Sequence, residues 1–265
     1  MTEGVAVYSL AAVAVLLTGI SKGGFGGALG GIAVPLMALV IPAPRAAAIM
    51  VPILCLTDVF GFRAYYRKWD RALLRIMIPG GLAGIVVGAL TIRLLTEDAV
   101  RLLVGSIAVL FPVYRWLSAP PPDAPAAAPP PVGKGAFWSG LSGYTSFLAH
   151  AGGPPVMVFL LPLRIDKTTY VATANLFFMI MNASKILPYA LLGQLSRGTL
   201  LASLALAPLV PVGVWLGLAL HWRVNERWFY QAVQVLMLLT GLQLVWRAGG
   251  THLLRAWALL GPLRG

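Results

Sequence analysis

Apolar runs follow one another along the chain almost without polar interruption. They lie at about residues 5–20, 25–41, 46–62, 76–92 and 102–117, and again at 136–149, 155–163, 170–192, 200–220 and 228–246. Most approach the roughly 20 residues with which a helix crosses about 30 Å of hydrocarbon. Between the two series stand Pro120, Pro121, Pro122, Pro125, Pro129, Pro130 and Pro131 among alanines, the composition of an extended, solvated spacer. The pattern predicts an all-α integral membrane protein of two repeats, each with about five hydrophobic segments. An N-terminal repeat covers 1–117, a Pro/Ala-rich linker 118–135, a C-terminal repeat 136–249 and a tail 250–265, in which Thr251 to Leu260 reads as a short helix on the membrane surface. The opening run has no basic region before it and no cleavage site followed by a soluble domain, so it is expected to stay in the mature protein.

The two series echo each other. Pro79 opens a small-residue helix carrying Gly84 and Gly88, and Pro208 or Pro211 opens one carrying Gly213 and Gly217. Each then passes through a short charged loop into an apolar helix ending in Tyr114-Arg115-Trp116 or Val245-Trp246-Arg247. Glycines four apart let helices approach closely in lipid. An odd number of crossings in each half would insert the second upside down, giving the inverted-topology repeat of secondary transporters. Arg63, Arg67, Lys68, Arg71 and Arg75 crowd the third connection and put it in the cytoplasm. Counting alternately, the linker is cytoplasmic and both termini are outside, although Arg247, Arg255 and Arg264 pull the other way.

Composition sharpens this picture. Hydrophobic residues make up 59% of the chain and charged ones 11%, against roughly 25% charged in an average soluble domain, which excludes a soluble fold. The net charge of +12 sits mostly in short loops between spans, where topology accounts for it without nucleic acid. The single cysteine, Cys55, lies in an apolar run and can form neither an intrachain disulfide nor a thiolate cluster. No His/Glu metal motif and no carboxylate dyad is present, and no cofactor is expected.

Candidate chemistry sits at two interruptions. The first is Ser21-Lys22-Gly23-Gly24-Phe25-Gly26-Gly27-Ala28-Leu29-Gly30-Gly31. So many glycines imply a backbone that turns sharply, unwinds or packs closely, and unwound backbone at membrane depth is tolerated only where it lines a cavity. Its free N–H groups, with a helix N-terminus near Gly26 and the charge of Lys22, would form an anion site. A second reading stays open: Gly23, Gly27 and Gly31 as a packing stripe, with Lys22 snorkelling to the interface. The spacing does not fit a nucleotide-binding loop. The counterpart in the second series is Tyr144-Thr145-Ser146-Phe147-Leu148-Ala149-His150-Ala151-Gly152-Gly153-Pro154-Pro155. Paired interrupted segments in corresponding positions point to a transporter's substrate site, with Thr145, Ser146, His150, Gly152 and Gly153 as candidates.

Lys185 lies deep in an apolar run with Asn175, Asn182 and Ser184. Asn175, Asn182 and Lys185 can share one helix face, and a charge at that depth usually faces a cavity. Asp58 is the one carboxylate inside an expected span. It and His150 are candidates for proton coupling, while pairing of Asp58 with Arg63 is the simpler expectation.

Lys22-Gly-Gly-Phe-Gly-Gly with Val34-Pro35-Leu36-Met37-Ala38-Leu39 and Ala46-Ala47-Ala48-Ile49-Met50-Val51-Pro52-Ile53-Leu54 resembles the sulfite exporter TauE/SafE family of membrane transporters. So do Thr145 to Pro155, Leu161-Pro162-Leu163-Arg164-Ile165-Asp166-Lys167 and Gly193-Gln194. One departure is Ala28, where the family often continues its glycine run. The resemblance implies transport of sulfite, organosulfonates or related sulfur oxyanions across the bacterial inner membrane, with an anion and protons as partners. Cargo, direction, coupling ion and oligomeric state stay open. A passive channel is the main alternative; a membrane-embedded enzyme would need clustered acids, histidines or a nucleophile with a base. The site expected from residues and resemblance together comprises Lys22, Gly23, Gly24, Phe25, Gly26, Gly27, Thr145, Ser146, His150, Gly152, Gly153, Asn175, Asn182 and Lys185.

Overall fold

The computed structural model describes residues 2–28, 31–91, 96–117 and 132–260. Leu29 and Gly30 of the first glycine run, most of the Pro/Ala linker and Arg264 lie outside the described residues, as do the side chains of His252 and Arg255. The described residues form eleven α-helices and no strand. In order they are α1 (Thr2–Phe25), α2 (Ala33–Met37), α3 (Ala43–Ala64), α4 (Arg71–Thr91), α5 (Glu97–Leu117), α6 (Val132–Ala149), α7 (Gly153–Leu160), α8 (Lys167–Leu191), α9 (Arg197–Leu206), α10 (Leu209–Arg223) and α11 (Glu226–Leu260).

Among the described residues, five helices are long and apolar enough to cross a membrane: α1, α3, α4, α8 and α11. A sixth candidate is α9 with α10, bent by 46° at Ala207-Pro208, where the proline withholds an N–H from the continuing ladder. The stretches 25–41 and 155–163 do not become long helices. Beyond the end of α1 at Phe25, the described residues of the first hold only the 5-residue α2. The second holds part of the 8-residue α7 and a 3₁₀ turn at Leu161–Leu163. At 1.5 Å per residue neither short helix can cross alone. Two boundaries also shift. Helix α6 begins at Val132, inside the expected linker, and α11 continues unbroken through Thr251 to Leu260 rather than yielding a separate surface helix. Gly249 and Gly250 stay helical there instead of capping the helix.

Local chemistry sets the helix starts. Asp166 caps α8 by accepting from the Thr168 and Thr169 amides at 3.0 and 2.9 Å, and Ser196 caps α9 through the Thr199 amide at 3.3 Å. Pro154 and Pro155 occupy the first turn of α7, where a missing N–H costs nothing. Leu90, Leu191 and Trp246 are largely exposed, as lipid-facing side chains of a membrane helix must be.

The principal helix partnerships are α1 with α10, α4 with α6, α5 with α11 and α3 with α8. Glycines set the first two. A Cβ on Gly84 would lie 1.9 Å from the Gly140 carbonyl oxygen, one on Gly143 2.0 Å from that of Gly81, and one on Gly23 2.3 Å from that of Val214. These backbones touch, which only small residues permit. Gly61 likewise faces the Asn175 amide, so α3 and α8 pack closely where the buried polar side chains lie.

Candidate substrate site

Two helix breaks build the site. Helix α1 stops at Phe25 because Gly26 and Gly27 take φ of 61° and 88°, a left-handed conformation that glycine enters without steric cost. The Gly27 amide then donates to the Ser21 carbonyl at 3.0 Å. Helix α6 stops in the same manner: His150 has φ of 53°, and the Ala151 amide donates to the Thr145 carbonyl at 3.3 Å. Both closures join an amide to a carbonyl on the preceding turn, as helix C-caps do. His150 carries a side chain into a region that costs an L-residue about 1–2 kcal/mol. Such an outlier is a pointer to function.

A similar pair of contacts lies beyond the breaks. Tyr65 on α3 donates its hydroxyl to the Gly23 carbonyl at 2.6 Å, and Tyr189 on α8 donates to the Phe147 carbonyl at 3.3 Å, each across 42 residues. Asp58 and Asn182, 124 residues apart, touch each other.

Lys22, in the last turn of α1, meets Asp58 of α3 at 2.5 Å between Nζ and Oδ1. The other Asp58 oxygen accepts from Asn182 Nδ2 at 2.6 Å. Lys22 also lies over the Phe178 ring, 4.5 Å from its centroid, and its carbonyl accepts from Asn175 Nδ2 at 3.0 Å. The expected pairing of Asp58 with Arg63 is therefore corrected. Residues three or four apart meet on a helix surface, five apart do not, and Arg63 points to the exposed side. Asp58 is fully buried, and its partners come from α1 and α8.

Lys185 is 1% exposed. Its ammonium donates to the Ser146 carbonyl at 3.2 Å and hydroxyl at 3.0 Å, and it makes no ion pair among the described residues. His150, buried at the second break, has no hydrogen-bond partner on either ring nitrogen. Its ring stands edge-on to Tyr189 at 5.8 Å.

A partly open cavity of about 20 Å³ is lined by Lys22, Gly27, Ser146, His150, Asn182 and Lys185, with Gly152 and Gly153, and with Leu54 and Phe178 as apolar walls. That is room for a single water. Six of the expected residues stand back from it. Gly23 and Gly24 face α10, Phe25 stacks on Phe229 at 5.9 Å, and Gly26 faces Tyr170 and Ala174. Thr145 is occupied by the carbonyls of Leu141, Ser142 and Ala151. Asn175 holds the Lys22 carbonyl from behind. Leu54 and Phe178 had no sequence signal, because an apolar residue in an apolar helix is unremarkable.

Fold and site together define a multi-pass helical membrane protein whose interior holds a small cavity with two ammonium groups, an imidazole and a glycine-lined break on either side. The family model described as sulfite exporter TauE/SafE matches residues 11–244, and the chain belongs to that family of transporters. Neither the curated proteins nor the solved structures gave a match.

Proposed function

We propose that this protein carries a small sulfur oxyanion, sulfite or an organosulfonate, across the cell inner membrane, binding it between the two helix breaks. The observation that carries the reading is Lys185, a buried ammonium that faces a cavity and has no acid partner among the described residues. A desolvated cation without a counter-ion is costly, and a bound anion supplies one. His150, with both ring nitrogens unpartnered beside the same cavity, offers a further hydrogen bond, and ammonium groups suit an oxyanion's several acceptor oxygens.

The cavity has room for about one water, so it widens to accept cargo. The reading is that two inversely oriented halves, 1–117 and 136–249, rock about the site and open it to each side in turn. Three features support it. Matching hydrogen bonds close both breaks. The α1–α10 pairing is mirrored by α6–α4. The matching helices α3 and α8 run antiparallel, since Asp58 lies beside Asn182 while Gly61 lies beside Asn175. Export is the direction the family description carries.

The test is uptake of radiolabelled sulfite into proteoliposomes holding the purified protein, with and without a pH gradient. Saturable uptake competed by sulfonates supports the reading. Flux linear in concentration would indicate a channel, product formation an enzyme, and no flux would refute transport of this cargo.

A further inference from the structure

Three charged side chains meet in the buried cluster, and their sum decides what it can hold. Asp58 on α3 is fully buried and faces Lys22 from α1 and Asn182 from α8. Lys185 follows Asn182 by one helical turn on α8, so it approaches from the same element. Of the other titratable groups nearby, His150 stands at the second break with no hydrogen-bond partner, and Cys55 lies about one turn before Asp58 on α3. Above neutral pH an unpaired imidazole and a thiol are uncharged in their ordinary range. With an anion bound and both lysines in their ammonium form, the cluster holds two positive charges and one negative, an excess of one.

In a desolvated site the excess matters more than the number of donors. Burial of an uncompensated charge is heavily penalised, so the occupied cavity is most stable when cargo cancels the excess and no more. A singly charged anion does this. A dianion leaves a surplus negative charge facing Asp58. Asp58 also holds Lys22 at 2.5 Å, so only the Lys185 ammonium is left for cargo without breaking an ion pair.

We infer that Asp58 is a specificity-determining residue that makes the cavity select singly charged oxyanions, organosulfonates with one charge and hydrogen sulfite, over dianions such as sulfate. This rests on the proposed substrate site. Asp58→Asn is nearly isosteric, keeps an oxygen to accept from Lys22 or Asn182, and raises the excess to two charges.

The experiment compares methanesulfonate with sulfate, two tetrahedral anions of similar size that differ by one charge, by calorimetry on purified protein at about pH 8, where an ordinary histidine is neutral. In wild type, methanesulfonate binds at least about tenfold more tightly than sulfate, because like-charge juxtaposition in a buried site is strongly unfavourable. In Asp58→Asn the ratio falls at least about tenfold or reverses. Equal wild-type affinities, or an unchanged ratio in Asp58→Asn, would overturn the inference while leaving the site intact. Methanesulfonate affinity that survives Lys185→Met would instead overturn the site itself, as would saturable binding of neither anion. Should Asp58→Asn not yield monodisperse protein, wild type alone decides. Raising the pH converts hydrogen sulfite to the dianion, so sulfite affinity falls more steeply than that of methanesulfonate, which stays singly charged throughout. Parallel curves contradict the assignment.

Discussion

Replacing Lys185 with methionine removes the cavity's unpaired ammonium while keeping an unbranched side chain of similar reach. An anion about 4 Å from that ammonium gains about 4 kcal/mol at the effective dielectric of a protein site. Breaking buried charged pairs typically costs about 2–5 kcal/mol, which corresponds to a loss of affinity from about thirtyfold to a few thousandfold. Stability should move differently. The two hydrogen bonds to Ser146 contribute about 1 kcal/mol each, but exchanging a buried charge for an apolar group is often neutral or stabilising. The expected outcome is a large loss of sulfite affinity by calorimetry in a protein whose thermal midpoint stays near the wild-type value or rises. Folded Lys185→Met that binds sulfite within about threefold of wild type would refute the reasoning, as would a collapse in stability with unchanged affinity in the folded fraction.

Other perturbations separate packing from binding. Gly84→Ala should lower the thermal midpoint by the equivalent of about 1–3 kcal/mol or more, since its Cβ would lie 1.9 Å from the Gly140 oxygen, yet leave affinity in the folded fraction unchanged; an unaltered melting curve contradicts the close contact. At His150, glycine should be more stable than alanine by about 1 kcal/mol because the backbone is left-handed there, and both variants should lose affinity; a more stable alanine variant counts against the strained break. Asp166→Ala should cost about 1 kcal/mol by removing the α8 cap. Partial burial pushes the Asp166 carboxyl up, but hydrogen bonds from Thr169 and Thr168 outweigh it and hold the group below its ordinary range. Its contribution is therefore present above the ordinary carboxylate range and is lost as pH falls through the lowered value. The acid side of the melting profile should be flatter in Asp166→Ala, and identical profiles would remove the cap's role.

Helix class and both breaks were legible because glycine and proline inside apolar runs interrupt helices for backbone reasons that need no tertiary information. Lys185, Asn182 and His150 stood out for a similar reason: polar groups at membrane depth are costly. The partner of Asp58 was not legible. Local spacing suggested Arg63, whereas the true partner is 36 residues away on another helix, a contact set only when α1 and α3 pack. The first glycine run carried two messages that its sequence does not separate. Gly23 and Gly24 admit α10, Gly26 and Gly27 turn the chain, and only Gly27 reaches the cavity. Leu54 and Phe178 became visible as walls only once the breaks were closed around them.

The central claim is a carrier that binds its anion between the two breaks and exposes it to one side at a time. Counterflow tests it most directly: proteoliposomes loaded with excess unlabelled sulfite are diluted into a trace of labelled sulfite at zero membrane potential. The account predicts a transient accumulation of label above equilibrium that saturates with internal sulfite and is abolished in Lys185→Met. Label that merely rises to equilibrium, or an overshoot of full size in Lys185→Met, would contradict it.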